Sequence, residues 1–388
     1  MMKSNNDERL TTYAAVLVDD RLWFSARECN GLFCMDLADE VTHFVKPFPK
    51  ASVNFFQQHI KAILYNDQII FIPLYGWYIH IYDLNSGDIS YICIGKRKKG
   101  IWYARDAFLL NDCIYTVPYD IEGDMQVYNL QSGEVSANTT FRTACVSYLR
   151  ESMQIASNRG FFSAKSYMEG NKLYFSIFPY KLIGCFDYIS SDLKFRQTEA
   201  GCILGLYIYN GELFLLCADD VNIHGLKNNG FGDEYVYCSE LSYDNLDGEH
   251  RPFLSMMENS NGLFTVPAFA RNFLKFEGNS FVSVNDLSDY VDVTANNKLL
   301  FYSIVKDCEN LILPSLVDGY IYLFNQRMEL IKKIPMECSD NEYIEYRMIT
   351  RSAARINRSR GSYIVESDDF SLTRFLRAMA AEDDQQVN

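Results

Sequence analysis

The strongest constraint on this chain is a short apolar strand that stops at a fixed slot and then recurs. It reads QIIFIP at Gln68–Pro73, CIYTVP at Cys113–Pro118, YFSIFP at Tyr174–Pro179, LFTVP at Leu263–Pro267 and LILP at Leu311–Pro314. Leu22–Ala26 (LWFSA) and Leu213–Cys217 (LFLLC) fill the same place without proline. The slot falls at Ala26, Pro73, Pro118, Pro179, Cys217, Pro267 and Pro314, with spacings of 47, 45, 61, 38, 50 and 47 residues. Five of the nine prolines occupy it. Proline cannot donate to a strand ladder, so the slot marks a strand end. The spacings 61 and 38 nearly average to the mean of 48, as expected if one unit carries an insertion or if the slot between them is aligned out of place.

A second apolar strand follows each slot. Asp36, Asp83, Asn129, Asp187, Glu277 and Asn325 lie 8 to 11 residues beyond their slots. In the clearest copies this strand ends in Tyr-Asp-Leu or Tyr-Asn-Leu and is followed by NSGD (Asn85–Asp88) or QSGE (Gln131–Glu134). Glycine there supplies the positive φ of a tight hairpin. The fifth unit, around Val221–Lys227, is the faintest. Further apolar runs precede the first strand, as at Ile60–Tyr65, and follow the glycine turn, as at Ile89–Ile94. With 27 Tyr and 27 Phe the composition favours pleated, half-buried surface. Four antiparallel strands in a unit of about 48 residues make the blade of a β-propeller. The sequence therefore predicts an all-β, seven-bladed β-propeller over residues 11–335, with a short C-terminal α-helical tail over 340–388. A two-domain β-sandwich would not explain a slot that recurs seven times.

The unit, an apolar strand, a loop, an apolar strand ending in Tyr-Asp-Leu and a Ser-Gly turn, resembles the blade of Kelch and quinoprotein-type propellers. Asp20–Leu37, Phe48-Pro49 and Asp67–Leu84 are also similar to uncharacterised bacterial propeller-like proteins of gut Firmicutes. The resemblance covers the ring and not the tail, and it brings no cofactor with it.

The tail has its own pattern. Arg347, Arg351, Arg355 and Arg358 fall at helical spacing opposite Ile349, Ala353 and Ile356. A second helix is predicted from near Ser371, with Leu372, Phe375, Leu376 and Met379 as a stripe for a partner. The formal charge is −14, yet the stretch from Arg347 to Arg360 holds five arginines and no acid. The acid surplus thus sits in the ring and argues against a dedicated nucleic-acid binder.

Other classes are excluded or disfavoured on composition. With 48% hydrophobic and 22% charged residues the chain is not disordered. Its 11 cysteines are odd in number and form no CxxC pair, which fits neither a disulfide framework nor a zinc site of ordinary spacing. The N-terminal MMKSNNDERL has no apolar core of a secretory signal, and no apolar run is long enough for a membrane span. A cytoplasmic location is expected.

In a four-stranded blade the loop after the second strand opens on the same face as the link to the next blade. That face is expected to carry Arg27, Glu28, Tyr75, Trp77, Tyr119, Tyr180, Asp219, Asp220, Phe269, Arg271 and Asp318. His59, on an inner strand, is expected to face the channel. The basic run Lys96, Arg97, Lys98 and Lys99 reads as a solvated loop or as an attraction for an acidic partner. His80 lies within WYIHIYDL and reads as a core histidine. No two of the five histidines sit at metal-ligand spacing, so no metal is expected. No GxSxG, HExxH, P-loop or GxGxxG unit is present. The expectation leans away from an enzyme, towards a scaffold that binds a protein or peptide partner. The alternative is a carbohydrate- or peptide-processing enzyme, or a binder of a small sugar, at the channel mouth.

Overall fold

The computed structural model of the protein describes residues 9–51, 58–74, 76–94, 104–154, 160–241, 252–291, 299–307, 309–348 and 350. Tyr75, Lys96–Lys99 and the stripe Leu372, Phe375, Leu376 and Met379 lie outside the described residues. Four-strand antiparallel meanders occupy residues 14–46, 59–93, 104–138, 161–197, 203–239, 253–286 and 305–335. The fourth also carries a short extra strand, Tyr167–Glu169. By contacts the chain divides into two compact units, one of residues 1–103, 319–321 and 333–388 and the other of 104–318 and 322–332.

The slot read from the sequence ends the second strand of every meander. Pro73, Pro118, Cys217, Pro267 and Pro314 are the last residues of their strands, while Ala26 and Pro179 follow theirs directly. At four of these ends the ladder shifts register. Pro73 pairs with His59, Pro118 with Ala104, Cys217 with Ile203 and Pro267 with Phe253, each beside an irregularity in the pairing. At Pro73, Pro118 and Pro267 an irregularity ends regular pairing where proline leaves the ladder one donor short, and Cys217 keeps the same irregularity without proline.

The turns after the third strands share one device. Asp36, Asp83, Asn129 and Asp187 each accept main-chain N–H groups from the residues two and three positions on, at 2.8–3.1 Å. The residue four positions on is left-handed in every copy: Glu40 (φ 59°), Gly87 (72°), Gly133 (73°) and Ser191 (61°). Aspartate or asparagine is needed as the acceptor, and glycine suits the backbone that follows. The bonds from Ser86 and Ser190 hold the Asp83 and Asp187 carboxyls below the ordinary range.

The 61-residue spacing has a physical cause. A helix, Thr139–Glu151, is inserted between the third and fourth meanders of the chain. Its 13 residues equal the excess of that spacing over the mean. The Asn138 side chain caps it by accepting from the Phe141 N–H. Phe141, Cys145 and Leu149, at i, i+4 and i+8, are buried in the second unit's core with Val117, Phe162, Phe175 and Phe186. The uneven spacing left open either an insertion in one unit or a displaced slot, and gave no sign that an insertion would be helical.

In the first unit, residues 341–348 are helical. Tyr343, 2% exposed, meets Phe33 edge-on at 5.2 Å, and Tyr346 stacks on Phe44 at 5.2 Å while its hydroxyl donates to the Asn30 carbonyl. The start of the tail therefore packs on the first meander. The segment before the first strand also meets residues at and just after the last meander. Leu10 N–H donates to the Met336 carbonyl, and the Arg9 guanidinium lies 4.1 Å over the Tyr320 ring.

Candidate functional site

In the first unit, Arg27 and Glu28 follow the strand Arg21–Ser25. Glu28 accepts from both the main-chain N–H and the hydroxyl of Thr11. Burial raises its carboxyl pKa, and the two Thr11 bonds oppose that rise. Arg27 lies 5.6 Å over the Tyr13 ring. Trp77 is half-buried, and its carbonyl accepts from the Ile94 N–H.

His59 does not open on solvent. It is 3% exposed and is the middle of a buried relay. The Ser25 hydroxyl lies 2.7 Å from His59 Nδ1, His59 Nε2 lies 2.8 Å from His80 Nδ1, and His80 Nε2 lies 2.8 Å from the Pro49 carbonyl. The carbonyl can only accept, so it fixes the direction of every proton. His80 donates from Nε2, leaving its Nδ1 to accept from His59 Nε2–H, and His59 Nδ1 then accepts the Ser25 hydroxyl. Phe48 packs on both rings at 4.5 and 5.0 Å, and Phe71 meets His59 at 5.4 Å. Burial drives both imidazoles towards neutrality: His59 is held well below the usual histidine range, and His80 falls to about 4. The order of groups resembles a nucleophile, a base and an orienting acceptor. Its serine, however, is 3% exposed and its acceptor is an uncharged carbonyl. His80 is a satisfied core histidine, and His59 is its partner.

In the second unit the remaining residues fall into small groups. Tyr119 and Tyr180 border the same strand, Phe161–Phe162. Tyr119 meets Phe161 at 5.3 Å, and Tyr180 closes on the backbone at Gly160. Asp219 accepts from the Cys202 N–H at 2.8 Å. Asp220 and Glu234 flank His224, each 3.3 Å from one ring nitrogen, and Glu234 also accepts from the Thr198 hydroxyl. Burial opposes ionisation of Glu234, but bonds from Thr198, the Glu199 N–H and His224 outweigh it and hold its carboxyl below the ordinary range. Phe269 donates its N–H to the Pro252 carbonyl. Arg271 and Asp318 both border the 287–291 segment: the Arg271 carbonyl accepts from Leu287, and Asp318 accepts from the Tyr322 hydroxyl at 2.6 Å, with the Tyr290 carbonyl 3.2 Å from that same hydroxyl.

One constellation was missed by the sequence reading. The Arg105 guanidinium lies 4.1 Å over the Tyr119 ring, and Lys165 Nζ lies 3.6 Å over the Tyr302 ring. The Tyr302 hydroxyl reaches the carbonyls of Arg105 (3.4 Å) and Ala164 (3.5 Å). Sequence separations of 197 and 138 residues hid this grouping. Among the described residues no group of three or more His, Cys, Asp and Glu side chains is placed to hold a metal ion. No described helix is long and apolar enough to cross a membrane.

No family model matches the sequence, and no curated protein matches it either. Solved structures do match the fold. A streptogramin B lyase superposes with a TM-score of 0.54 at 11% identity, over 82% of this chain and 94% of that one. Sqt1 of Saccharomyces cerevisiae gives 0.53 at 9% identity, over 84% and 86%. Hsv2 of Kluyveromyces lactis gives 0.51 at 10% identity, over 84% and 99%. These neighbours are β-propellers, and at such identities the likeness establishes the fold alone: the chain is a β-propeller of four-stranded antiparallel sheets.

Proposed function

We propose that the protein is a non-catalytic binding module: a seven-bladed propeller that offers its loop face, and its C-terminal tail, to a protein or peptide partner. Each of the seven meanders supplies one blade, and the meeting of Leu10, just before the first meander, with Met336, just after the last, supports a closed ring. The observation that carries the reading is the fate of the reactive side chains. Ser25, His59 and His80 saturate one another in the core, whereas the half-buried Arg105, Lys165 and Tyr119 are held on ring contacts as a recognition surface would hold them. The tail contributes Arg347 and the stripe Leu372, Phe375, Leu376 and Met379 as a second point of attachment.

The test is affinity capture with the full chain, followed by calorimetry with each captured protein in purified form. A partner that binds the full chain in the micromolar range or tighter, and binds a chain ending at residue 350 more weakly, supports the module. Multiple turnover of a sugar or peptide, abolished by His224→Gln, would overturn it. That outcome belongs to the second reading, an enzyme or sugar binder at the channel mouth, which draws on His224 lying between two carboxylates and on a lyase sharing the fold.

A further inference from the structure

We infer that the outward side of the helix over 341–348, carrying Ile344 and Met348, is a docking surface for residues 372–379 of the same chain. The inference goes beyond the binding-module reading: a partner that engages the 372–379 stripe must first displace it from this surface.

The helix has two distinct sides. Tyr343 and Tyr346 turn towards the first meander, where they meet Phe33 and Phe44, and the Tyr346 hydroxyl donates to the Asn30 carbonyl. Those contacts fix which side looks outward. Ile344 and Met348, four positions apart and so on one side of the helix, are 40% and 60% exposed. A cavity of about 370 Å³ lies beside them, bordered by Cys338, Tyr343, Ile344, Arg347 and Met348. Two large apolar side chains next to a recess, on an element whose other side is already packed, form the kind of surface that association buries.

The sequence of the same chain supplies the occupant. Leu372, Phe375, Leu376 and Met379 stand at i, i+3, i+4 and i+7, the spacing of one apolar stripe. The pairs Leu372 with Leu376 and Phe375 with Met379 repeat the four-residue interval of Ile344 with Met348, the ridge spacing by which helices interdigitate. Charge points the same way. Arg347 to Arg360 holds five arginines and no acid, whereas Glu366, Asp368 and Asp369 lead into the stripe. Opposite charges of this kind guide approach without a direct ion pair, so the contacts Arg347 already makes can persist. Leu372 follows Met348 by 24 positions. A connection of that length is ample for folding back, and it holds the stripe at an effective concentration in roughly the millimolar range. A second copy or a separate partner at micromolar concentration starts about a thousandfold behind.

The test is hydrogen exchange on the full chain, read by mass spectrometry at two protein concentrations tenfold apart, for the wild type, Ile344→Ser and Met348→Ser. In the wild type the amides of 372–379 are expected to exchange at least about tenfold more slowly than the same sequence as a free peptide, equally at both concentrations. Loss of that protection in either folded variant supports the docking. Both substituted side chains are exposed, and thermal melts identify the folded variants, so one misfolded protein does not leave the question open. Peptide-like exchange in the wild type, protection retained in both folded variants, or protection that grows with concentration and so assigns a second copy would overturn the inference. Capture of a partner by a chain whose stripe exchanges like the free peptide sinks this contact and leaves the module standing. Concentration-independent protection lost in the variants, with no partner captured, sinks the module and leaves this contact standing.

Discussion

Acidification should destabilise this protein through a pair of residues that are each only 3% exposed. His59 and His80 are neutral in the folded chain, while unfolded histidine titrates near 6.5. Because the folded values are depressed, the stability they confer is present above pH 6.5 and is lost as pH falls towards about 4. Between pH 7 and 5 the unfolded chain gains about 0.7 proton per histidine that the folded chain refuses. Each costs about 2 kcal/mol, so the pair costs about 4 kcal/mol, a large share of the 5–15 kcal/mol typical of a domain. The groups around the pair are the Ser25 hydroxyl, the Pro49 carbonyl and the rings of Phe48, Phe71 and Tyr78. Protonating either imidazole turns an acceptor nitrogen against its neighbour's N–H or hydroxyl. The assay is urea unfolding at pH 7, 6 and 5 for the wild type and for His80→Gln, whose amide can still donate to Pro49 and accept from His59. The variant should start less stable yet lose about 2 kcal/mol less on acidification. An undiminished acid slope in the variant, or imidazole proton shifts from the pair that titrate above pH 6, would refute the buried neutral relay.

Three further outcomes follow from the fold. At the shared turn, Glu40→Gly and Ser191→Gly should raise stability by up to about 1 kcal/mol, while Gly87→Ala and Gly133→Ala should lower it by about 1 kcal/mol, as read by thermal melting. Asn138→Ala should cost about 1 kcal/mol through the lost helix cap, and Phe141→Ala about 3–5 kcal/mol through the cavity it leaves. Thiol labelling of the folded chain should mark the exposed Cys93 and Cys238 first and spare Cys145 and Cys217, whose thiols burial pushes far up.

The repeat could be read because its markers are local. Proline ends a ladder wherever it stands, and the Asp83 and Asn129 turns need only an acceptor and a glycine within five residues. The helix Thr139–Glu151 left two traces, an overlong spacing and Phe141, Cys145 and Leu149 at helical intervals, but the β repeat around it drew the reading elsewhere. The relay was beyond reach for another reason. Ser25, His59 and His80 stand 34 and 21 residues apart and meet only once two meanders pack. The sequence placed His80 in the core and His59 at the channel without linking them. Arg105, Lys165 and Tyr302 were hidden likewise, each in a separate strand context. Of the loop residues, Tyr119 was singled out for its aromatic face, and the cation it supports went unread.

One pairing couples two meanders directly. The outer strands Glu234–Ser239 and Ser280–Asp286 run parallel and join through Cys238 with Ser280 and Ser239 with Phe281, making one eight-stranded sheet. Shared main-chain bonds mean that neither meander can open at that edge without stripping the other. In hydrogen exchange the amides of 203–239 and 253–286 should therefore be released together, as one cooperative block. The same seam removes part of an edge that would otherwise stand ready to recruit a strand from another molecule.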